Sequence, residues 1–116
     1  MKMQHVTIQT SRFEEEVAFY EKIVGLRIQR DMRPAGRNMV FLADGPEDTC
    51  VELIENPEAV YSGNAFLSVG FKTADVEKKR AELLELGYDP APMREPGPGV
   101  RFFFVKDPAG VNVQFI

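Results

Sequence analysis

Apolar and polar residues alternate along several short segments of the chain. Residues 4–10 place Val6 and Ile8 on one face of a strand and His5, Thr7 and Gln9 on the other. The same period of two predicts six further strands, over residues 26–32, 38–43, 49–56, 66–72, 101–106 and 111–116. A Pro-rich passage over residues 90–98 predicts one more strand, short or irregular because proline lacks the N–H that pairs strands.

Apolar residues recur at helical spacing in two other segments. The first helix is predicted to begin at a capping-box signature, Ser11 with Glu14, and to end at Gly25. Its inward-facing residues are Phe13, Val17, Tyr20 and Val24. The second helix is predicted over residues 75–86 and ends at Gly87. Its inward-facing residues are Val76, Leu83 and Leu84.

This order of elements occurs twice, at an offset of 62 or 63 residues, and the two halves are joined through Pro57 and Gly63. A repeat of this size indicates two copies of one supersecondary unit, neither of which buries its apolar face alone. We therefore predict an α+β fold in one domain over residues 1–116. The first βαβββ module covers residues 1–58, and the second covers residues 64–116.

The alternation also predicts which side chains point away from the helices. If the helices cover the side of Ile8, then His5 and Thr7 lie on the opposite side of the sheet, and the same period places Glu52 there. Their equivalents in the second half are Ser68, Gly70 and Gln114. We expect two curved mixed sheets around a concave cavity, with the helices on the outer face and these side chains converging on the cavity.

Several motifs occur in the order and spacing of a known superfamily. They are His5-Val6-Thr7-Ile8, Phe19-Tyr20, Val24-Gly25-Leu26, Val51-Glu52-Leu53-Ile54 and Phe104-Val105-Lys106-Asp107-Pro108-Ala109-Gly110. With the paired βαβββ units, they make the whole chain resemble the vicinal oxygen chelate superfamily, which includes glyoxalase I, bleomycin-resistance proteins and extradiol dioxygenases. The resemblance implies the fold more specifically than the activity. It also implies a homodimer.

In metal-dependent members of that superfamily, the first and last strands of each module supply the metal ligands. The resemblance carries this role to His5 and Glu52, whereas Ser68 stands where a second His is usual and Gln114 where a second Glu is usual. Hydroxyl and amide oxygens are weak partners for zinc or nickel. Glu52 is then the candidate catalytic group for proton transfer, because an amide such as Gln114 does not accept a proton near neutral pH.

Two functions remain open at this point. In the first, the chain is a lyase or isomerase of the lactoylglutathione-lyase type, with one divalent ion (zinc, nickel or iron) held by His5, Glu52 and, weakly, Gln114 and Ser68. In the second, it is a metal-free protein that binds and sequesters a drug or metabolite, and the incomplete ligand set favours this function slightly. An extradiol dioxygenase needs two His and one carboxylate, and the chain has one His.

Two of the candidate residues satisfy each other without a metal. An unpaired buried carboxylate is unfavourable, and a Glu52–His5 pair removes that cost. Cys50 shares the strand face of Glu52 and is either a nucleophile or, more commonly, an inert small apolar residue.

The remaining candidates are expected to contact a small-molecule ligand. Thr7, Cys50, Ser68 and Gln114 would contact the ligand from the strands, and Phe102 would favour an apolar or aromatic ligand. Arg101, like Arg37, begins a strand and either holds an anionic group or is solvated.

Composition narrows the partners and the compartment. The net charge of −4 comes from 18 acidic and 14 basic residues that are interspersed, which argues against a nucleic-acid partner. Cys50 is the only cysteine, so an intrachain disulfide is excluded. The chain shows no leader-like segment and no long apolar run, and we expect a cytoplasmic protein with no membrane partner.

Overall fold

The computed structural model describes residues 1–60 and 66–116, which belong to two compact units. Each unit has a four-stranded mixed sheet with a helix packed on one face. The predicted turn at Gly63 and the predicted start of the second module at residue 64 lie outside the described residues. That the two modules form one domain stays a prediction.

The first unit contains four strands, one α-helix and two shorter helical segments. In chain order these are β1 (His5–Thr10), α1 (Phe13–Ala18), a π-helical segment (Phe19–Val24), β2 (Arg27–Asp31), a 3₁₀ turn (Arg33–Ala35), β3 (Met39–Ala43) and β4 (Cys50–Glu55). The strand order across the sheet is β1-β4-β3-β2. β1 runs parallel to β4, and the other neighbouring strands are antiparallel.

The second unit repeats this plan with one helix. In chain order its elements are β5 (Ser68–Phe71), α2 (Val76–Glu85), β6 (Arg94–Gly97), β7 (Val100–Lys106) and β8 (Asn112–Phe115). The strand order is β5-β8-β7-β6, with β5 parallel to β8. The predicted α+β fold of two βαβββ modules is therefore confirmed.

The strand register shows that the two units are copies of one another. In the first unit Thr7 lies opposite Glu52 across the parallel pair β1–β4. In the second unit Gly70 lies opposite Gln114 across β5–β8. Because side chains that are paired across a ladder share a face, the alternation predicted from the sequence holds in both sheets.

One face of the first sheet is buried beneath the helical segments. Val40, Leu42 and Leu53 on that face have no solvent exposure, and Val17 and Tyr20 of the helical segments are buried as well. Burial of a side chain of this kind contributes about 1.5–3 kcal/mol. These apolar residues are the reason that the sheet keeps its register, since a slip of one residue would expose them all.

The first helix departs from the predicted spacing over its second half. Phe19–Val24 form a π-helical segment, in which hydrogen bonds run from residue i to i+5 and each turn holds more residues. Phe19 and Ile23 are therefore buried together with Tyr20. Val24, which was predicted to face inward, is only partly buried.

The start of the first helix also differs from the prediction, and its end does not. The residue before the helix is Arg12, and its side chain makes no capping hydrogen bond, so the predicted Ser11–Glu14 capping box is wrong. The Thr10 hydroxyl takes over part of this role and accepts the Arg12 N–H at 2.9 Å. Gly25 ends the segment in the left-handed conformation, with φ of 85°, as predicted. No described helix is long and apolar enough to cross a bilayer.

The core of the second unit is built on aromatic side chains. Phe103 and Phe115 are buried, and their rings stack with centroids 5.5 Å apart. Helix α2 covers them with a narrow stripe, in which Leu83 is fully buried. Leu84, which was predicted to face inward, is exposed because its position is about 100° further round the helix.

The irregular sixth strand and the turn before the last strand follow the prediction. β6 is four residues long and its pairing with β7 shifts register between Arg94 and Gly97. In the turn after β7, the buried Asp107 carboxylate accepts the N–H groups of Ala109 and Val111, each at 2.9 Å. These bonds satisfy backbone donors that the turn would otherwise leave unpaired.

We expect the Asp31 carboxyl to titrate below the ordinary aspartate range. The Arg33 guanidinium donates to both carboxylate oxygens, the Arg33 backbone N–H donates as well, and together they lower the pKa of Asp31. The stabilisation from this pair is complete above the unfolded-state pKa and is lost as the pH falls through the lower folded-state pKa. A carbon-13 NMR titration should show this shift, and Arg33→Gln should raise the pKa of Asp31. An unchanged midpoint in that variant would contradict the assignment.

Candidate functional site

The face of the first sheet that points away from the helices is called here the first open face. Its side chains come from all four strands: His5, Thr7 and Gln9 of β1, Cys50, Glu52 and Ile54 of β4, Met39 and Phe41 of β3, and Arg30 of β2. Apolar and polar groups are mixed on this face, which is typical of a surface that binds a small organic molecule.

Glu52 is the most buried charged group on the first open face, with 8% of the residue exposed. The Thr7 hydroxyl donates a hydrogen bond to its Oε1 atom at 2.5 Å, and His5 Nε2 lies 3.6 Å from the same atom. Among the described residues, none donates to Oε2. One carboxylate oxygen is therefore positioned by the protein, and the other is available to a donor from outside.

The strand order explains why these groups meet. β4 lies between β1 and β3, so Glu52 has Thr7 on one side and Phe41 on the other. The His5 ring meets the edge of the Phe41 ring, with centroids 6.0 Å apart. The alternation had predicted that His5 and Glu52 share this face, and a pair between them was one of the alternatives that the sequence left open.

Cys50 lies on the same face and is paired with His5 in the register. Its thiol is 3.6 Å from the Asp48 carbonyl oxygen. In the described parts of the chain, no three His, Cys, Asp or Glu side chains are grouped so that they could hold a metal ion. The thiol is thus held by the backbone of the preceding turn, and neither a nucleophilic nor a ligand role is tested by this geometry.

The equivalent surface of the second unit, the second open face, carries no carboxylate or imidazole at the matching positions. Ser68 replaces His5, Gly70 replaces Thr7 and Gln114 replaces Glu52. A Cβ atom at residue 70 would lie 3.2 Å from the Gln114 Oε1 atom, so the glycine makes room for the amide. Phe102 and Phe104 add an aromatic pair with centroids 5.7 Å apart.

A cavity of about 530 Å³ lies along one side of the second unit. Phe104, Asn112 and Lys106 line it together with the segment of residues 89–92. This volume is within the usual range for small-molecule pockets. In this cavity the aromatic ring of Phe104, a predicted type of ligand contact, lies near Lys106, a cation that the sequence did not indicate as a candidate.

Arg101 lies away from the second open face. Its guanidinium forms ion pairs with Glu77 of α2 and Glu95 of β6, and it shares a strand face with the buried Phe103. It lines a different cavity, of about 520 Å³, together with Lys72 and Ile116. The structure therefore does not bring Arg101 together with Ser68 or Gln114, and its role in ligand binding stays a prediction.

Arg30 is a cation of the first open face that sequence reasoning missed. Simple alternation over residues 26–32 puts Arg30 on the same face as Ile28, which is paired with the buried Leu42. The register shifts between Ile28 and Arg30, and this bulge places Arg30 opposite Phe41. The one available signal was Gln29, an extra polar residue within the strand, and it does not by itself reveal a bulge.

The sequence model of the Glyoxalase/Bleomycin resistance protein/Dioxygenase superfamily matches residues 2–115 of this chain. The chain belongs to this superfamily. Lactoylglutathione lyase of Neisseria meningitidis, from strains of serogroups A and B, is 28% identical over 126 aligned residues, which cover 100% of this chain and 90% of the relative. The resemblance inferred from the sequence motifs is thereby confirmed.

Solved structures of the superfamily show the same fold at lower identity. A trypanothione-dependent glyoxalase I of Leishmania major superposes with a TM-score of 0.79 at 23% identity, covering 100% of this chain and 86% of that one. The fosfomycin resistance protein FosX of Mesorhizobium loti gives a TM-score of 0.75 at 19% identity, covering 98% and 89%. Proteins of this superfamily bind small molecules, and many of them bind a divalent metal.

The donor groups of this chain fit such a metal poorly. The first open face brings one imidazole and one carboxylate together. These two groups face each other instead of pointing at a shared metal position. The second open face offers a hydroxyl and an amide, which are uncharged. Zinc and nickel sites in proteins use three or four nitrogen, thiolate or carboxylate donors.

Proposed function

We propose that the chain binds a small organic molecule on its open faces without a transition-metal ion, and that Glu52 is the central polar contact. The observation that carries this proposal is the hydrogen bonding of the two Glu52 carboxylate oxygens. The Thr7 hydroxyl donates to its Oε1 atom, His5 Nε2 lies 3.6 Å from the same atom, and Oε2 is left for a ligand O–H or N–H. A nearly buried carboxylate does not help a sheet to fold, which supports a binding role for Glu52 on this face.

The surroundings of Glu52 support an organic ligand rather than a hydrated ion. Met39, Phe41 and Ile54 are partly exposed on the same face. Removal of such apolar surface from water by a ligand is worth about 25 cal/mol per Å². A ligand with a flat apolar body and a hydrogen-bond donor would use both features.

A second candidate is a lyase or isomerase of the lactoylglutathione-lyase type, with Glu52 as the group that moves a proton. The full-length similarity to the Neisseria meningitidis lactoylglutathione lyases favours it. It requires that the chain act on lactoylglutathione, the compound in the name of those relatives. It also requires a bound metal or a second acid–base group besides Glu52.

We expect titration with zinc or nickel to give no saturable heat signal. The wild-type protein is prepared without a chelator and compared with His5→Ala by isothermal titration calorimetry, and its metal content is measured directly. The expected result is metal well below one equivalent and identical titrations for the two proteins. Stoichiometric metal that is lost in His5→Ala would contradict the metal-free proposal and support the lyase.

The binding itself is tested by NMR with a library of small aromatic compounds. We expect hits to shift the amide signals of residues beside Glu52 and Phe41, and Glu52→Gln to weaken those hits about tenfold, because the amide replaces the charged acceptor. Glu55→Gln is the matched control. Glu55 ends the same strand, and its carboxylate accepts a hydrogen bond from the Asn38 side chain instead. Equal binding by both variants, or shifts confined to other surfaces, would contradict the proposal.

A further inference from the structure

We propose that Arg30 is the anion-binding residue of the first open face, and that the ligand is a small organic anion with a flat apolar body and a hydrogen-bond donor at its far end. This inference rests on the proposed function and names the class of ligand. Its basis is one row of side chains across the sheet, Thr7, Glu52, Phe41 and Arg30, each opposite the next in the register.

The bulge in β2 is what completes this row. Arg27 and Ile28 pair with Ala43 and Leu42, and without a shift the next residue, Gln29, would lie opposite Phe41. The inserted residue puts Arg30 there instead. Bulges of this kind commonly change the direction of a side chain beside a functional site.

Arg30 has no counter-ion among the described residues. The adjacent carboxylate, Asp31, is occupied by the bidentate contact from Arg33. Two other arginines of this unit are engaged as well, since Arg12 pairs with Glu15 and Arg27 donates to the Asp44 carbonyl oxygen. An exposed guanidinium without a partner beside an aromatic ring is suited to a carboxylate or phosphate group on a ring-containing ligand.

The spacing of the row defines the shape of the ligand. Neighbouring strands lie about 4.8 Å apart, so the backbones at Glu52 and Arg30, two strands apart, are separated by roughly 10 Å. Phe41 lies between them and offers a ring against which a flat group can pack. A molecule that satisfies all three residues carries its negative charge at one end and an O–H or N–H group at the other.

The second unit contains a similar arrangement. Arg94 lies opposite Phe102 in the register, again next to a shift in pairing, and it has no counter-ion among the described residues. The neighbouring carboxylate, Glu95, contacts Arg101. An arginine paired with an aromatic residue beside a bulge thus occurs in both copies, although Arg30 and Arg94 are not at equivalent rows.

The test uses 4-hydroxyphenylacetate, which carries a carboxylate, a ring and a phenolic hydroxyl, and its neutral counterpart 4-hydroxyphenylacetamide. Dissociation constants are measured by NMR titration for the wild type, Arg30→Ala and Lys22→Ala. Lys22 is exposed on the π-helical segment, so Lys22→Ala removes the same charge from the helical side of the unit. Arg37→Ala tests a second arginine of this unit, whose side chain has no partner among residues 1–60 and 66–116.

We expect the wild type to bind the carboxylate at least about tenfold more tightly than the amide, and Arg30→Ala to abolish this preference. Lys22→Ala and Arg37→Ala should keep it. Loss of the preference in Arg37→Ala but not in Arg30→Ala would overturn the assignment, as would equal binding of the two probes by the wild type. If compounds shift the signals beside Glu52 but bind Arg30→Ala as well as the wild type, only this inference fails. If no compound shifts the signals of the first open face, the proposed function fails as well.

Discussion

Replacement of Phe103 by alanine is expected to lower the free energy of unfolding by about 3–5 kcal/mol. Phe103 has no solvent exposure and stacks on Phe115 beneath α2. Truncation would remove its contacts and leave a cavity that a sheet with fixed register cannot close. Chemical denaturation followed by circular dichroism measures the change.

Phe102 is the matched control for this prediction. It is the preceding residue of β7, points to the second open face and contacts Phe104 edge to face. We expect Phe102→Ala to cost about 1 kcal/mol, mainly the loss of one aromatic pair. Similar losses for the two variants would show that the second sheet does not have one helix-covered and one open face, and the assignment of the second open face would then be wrong.

Replacement of Thr7 by valine is expected to destabilise the protein by about 1–2 kcal/mol, because a nearly buried carboxylate loses its closest donor. Valine keeps the shape of threonine and suits a strand, so the change isolates the hydrogen bond to Glu52. Thr49→Val is the control, since the Thr49 hydroxyl donates to an exposed backbone carbonyl instead. Thermal and denaturant unfolding measure both variants.

The double variant Thr7→Val with Glu52→Leu separates a structural role of Glu52 from a binding role. Replacing both partners by apolar groups of similar shape is close to neutral for stability. We expect the double variant to be at least as stable as Thr7→Val and to have lost the ligands found in the NMR screen. A double variant that is less stable than Thr7→Val would mean that Glu52 stabilises the fold, and the argument for a binding role would lose its basis.

The alternation in β1 and β4 was enough to predict that His5, Thr7 and Glu52 share one face. A strand places every second side chain on the same side, and the apolar residues between them leave no other register that buries the core. The repeat and the motifs were enough to predict the βαβββ plan and the superfamily. Gly25 marked the end of the first helix because glycine adopts the left-handed conformation readily.

Other features depend on contacts that no local pattern encodes. The π-helical segment, which buries Phe19 and Ile23, and the bulge, which turns Arg30 towards Phe41, each add a residue to a regular repeat. The regular spacing of apolar residues does not predict such an insertion, because packing against the rest of the unit determines where it occurs.

The sequence by itself thus determined the two sheets, their helix-covered faces, and the contrast between His5 and Glu52 in the first unit and Ser68 and Gln114 in the second. These follow from periodicity and residue type, which are local properties. Only the tertiary structure decided that the Thr7 hydroxyl donates to Oε1 of Glu52 with His5 nearby, and that Arg30 completes the row across the sheet. Such contacts join strands that are far apart in the chain, and their geometry is set by strand order and register.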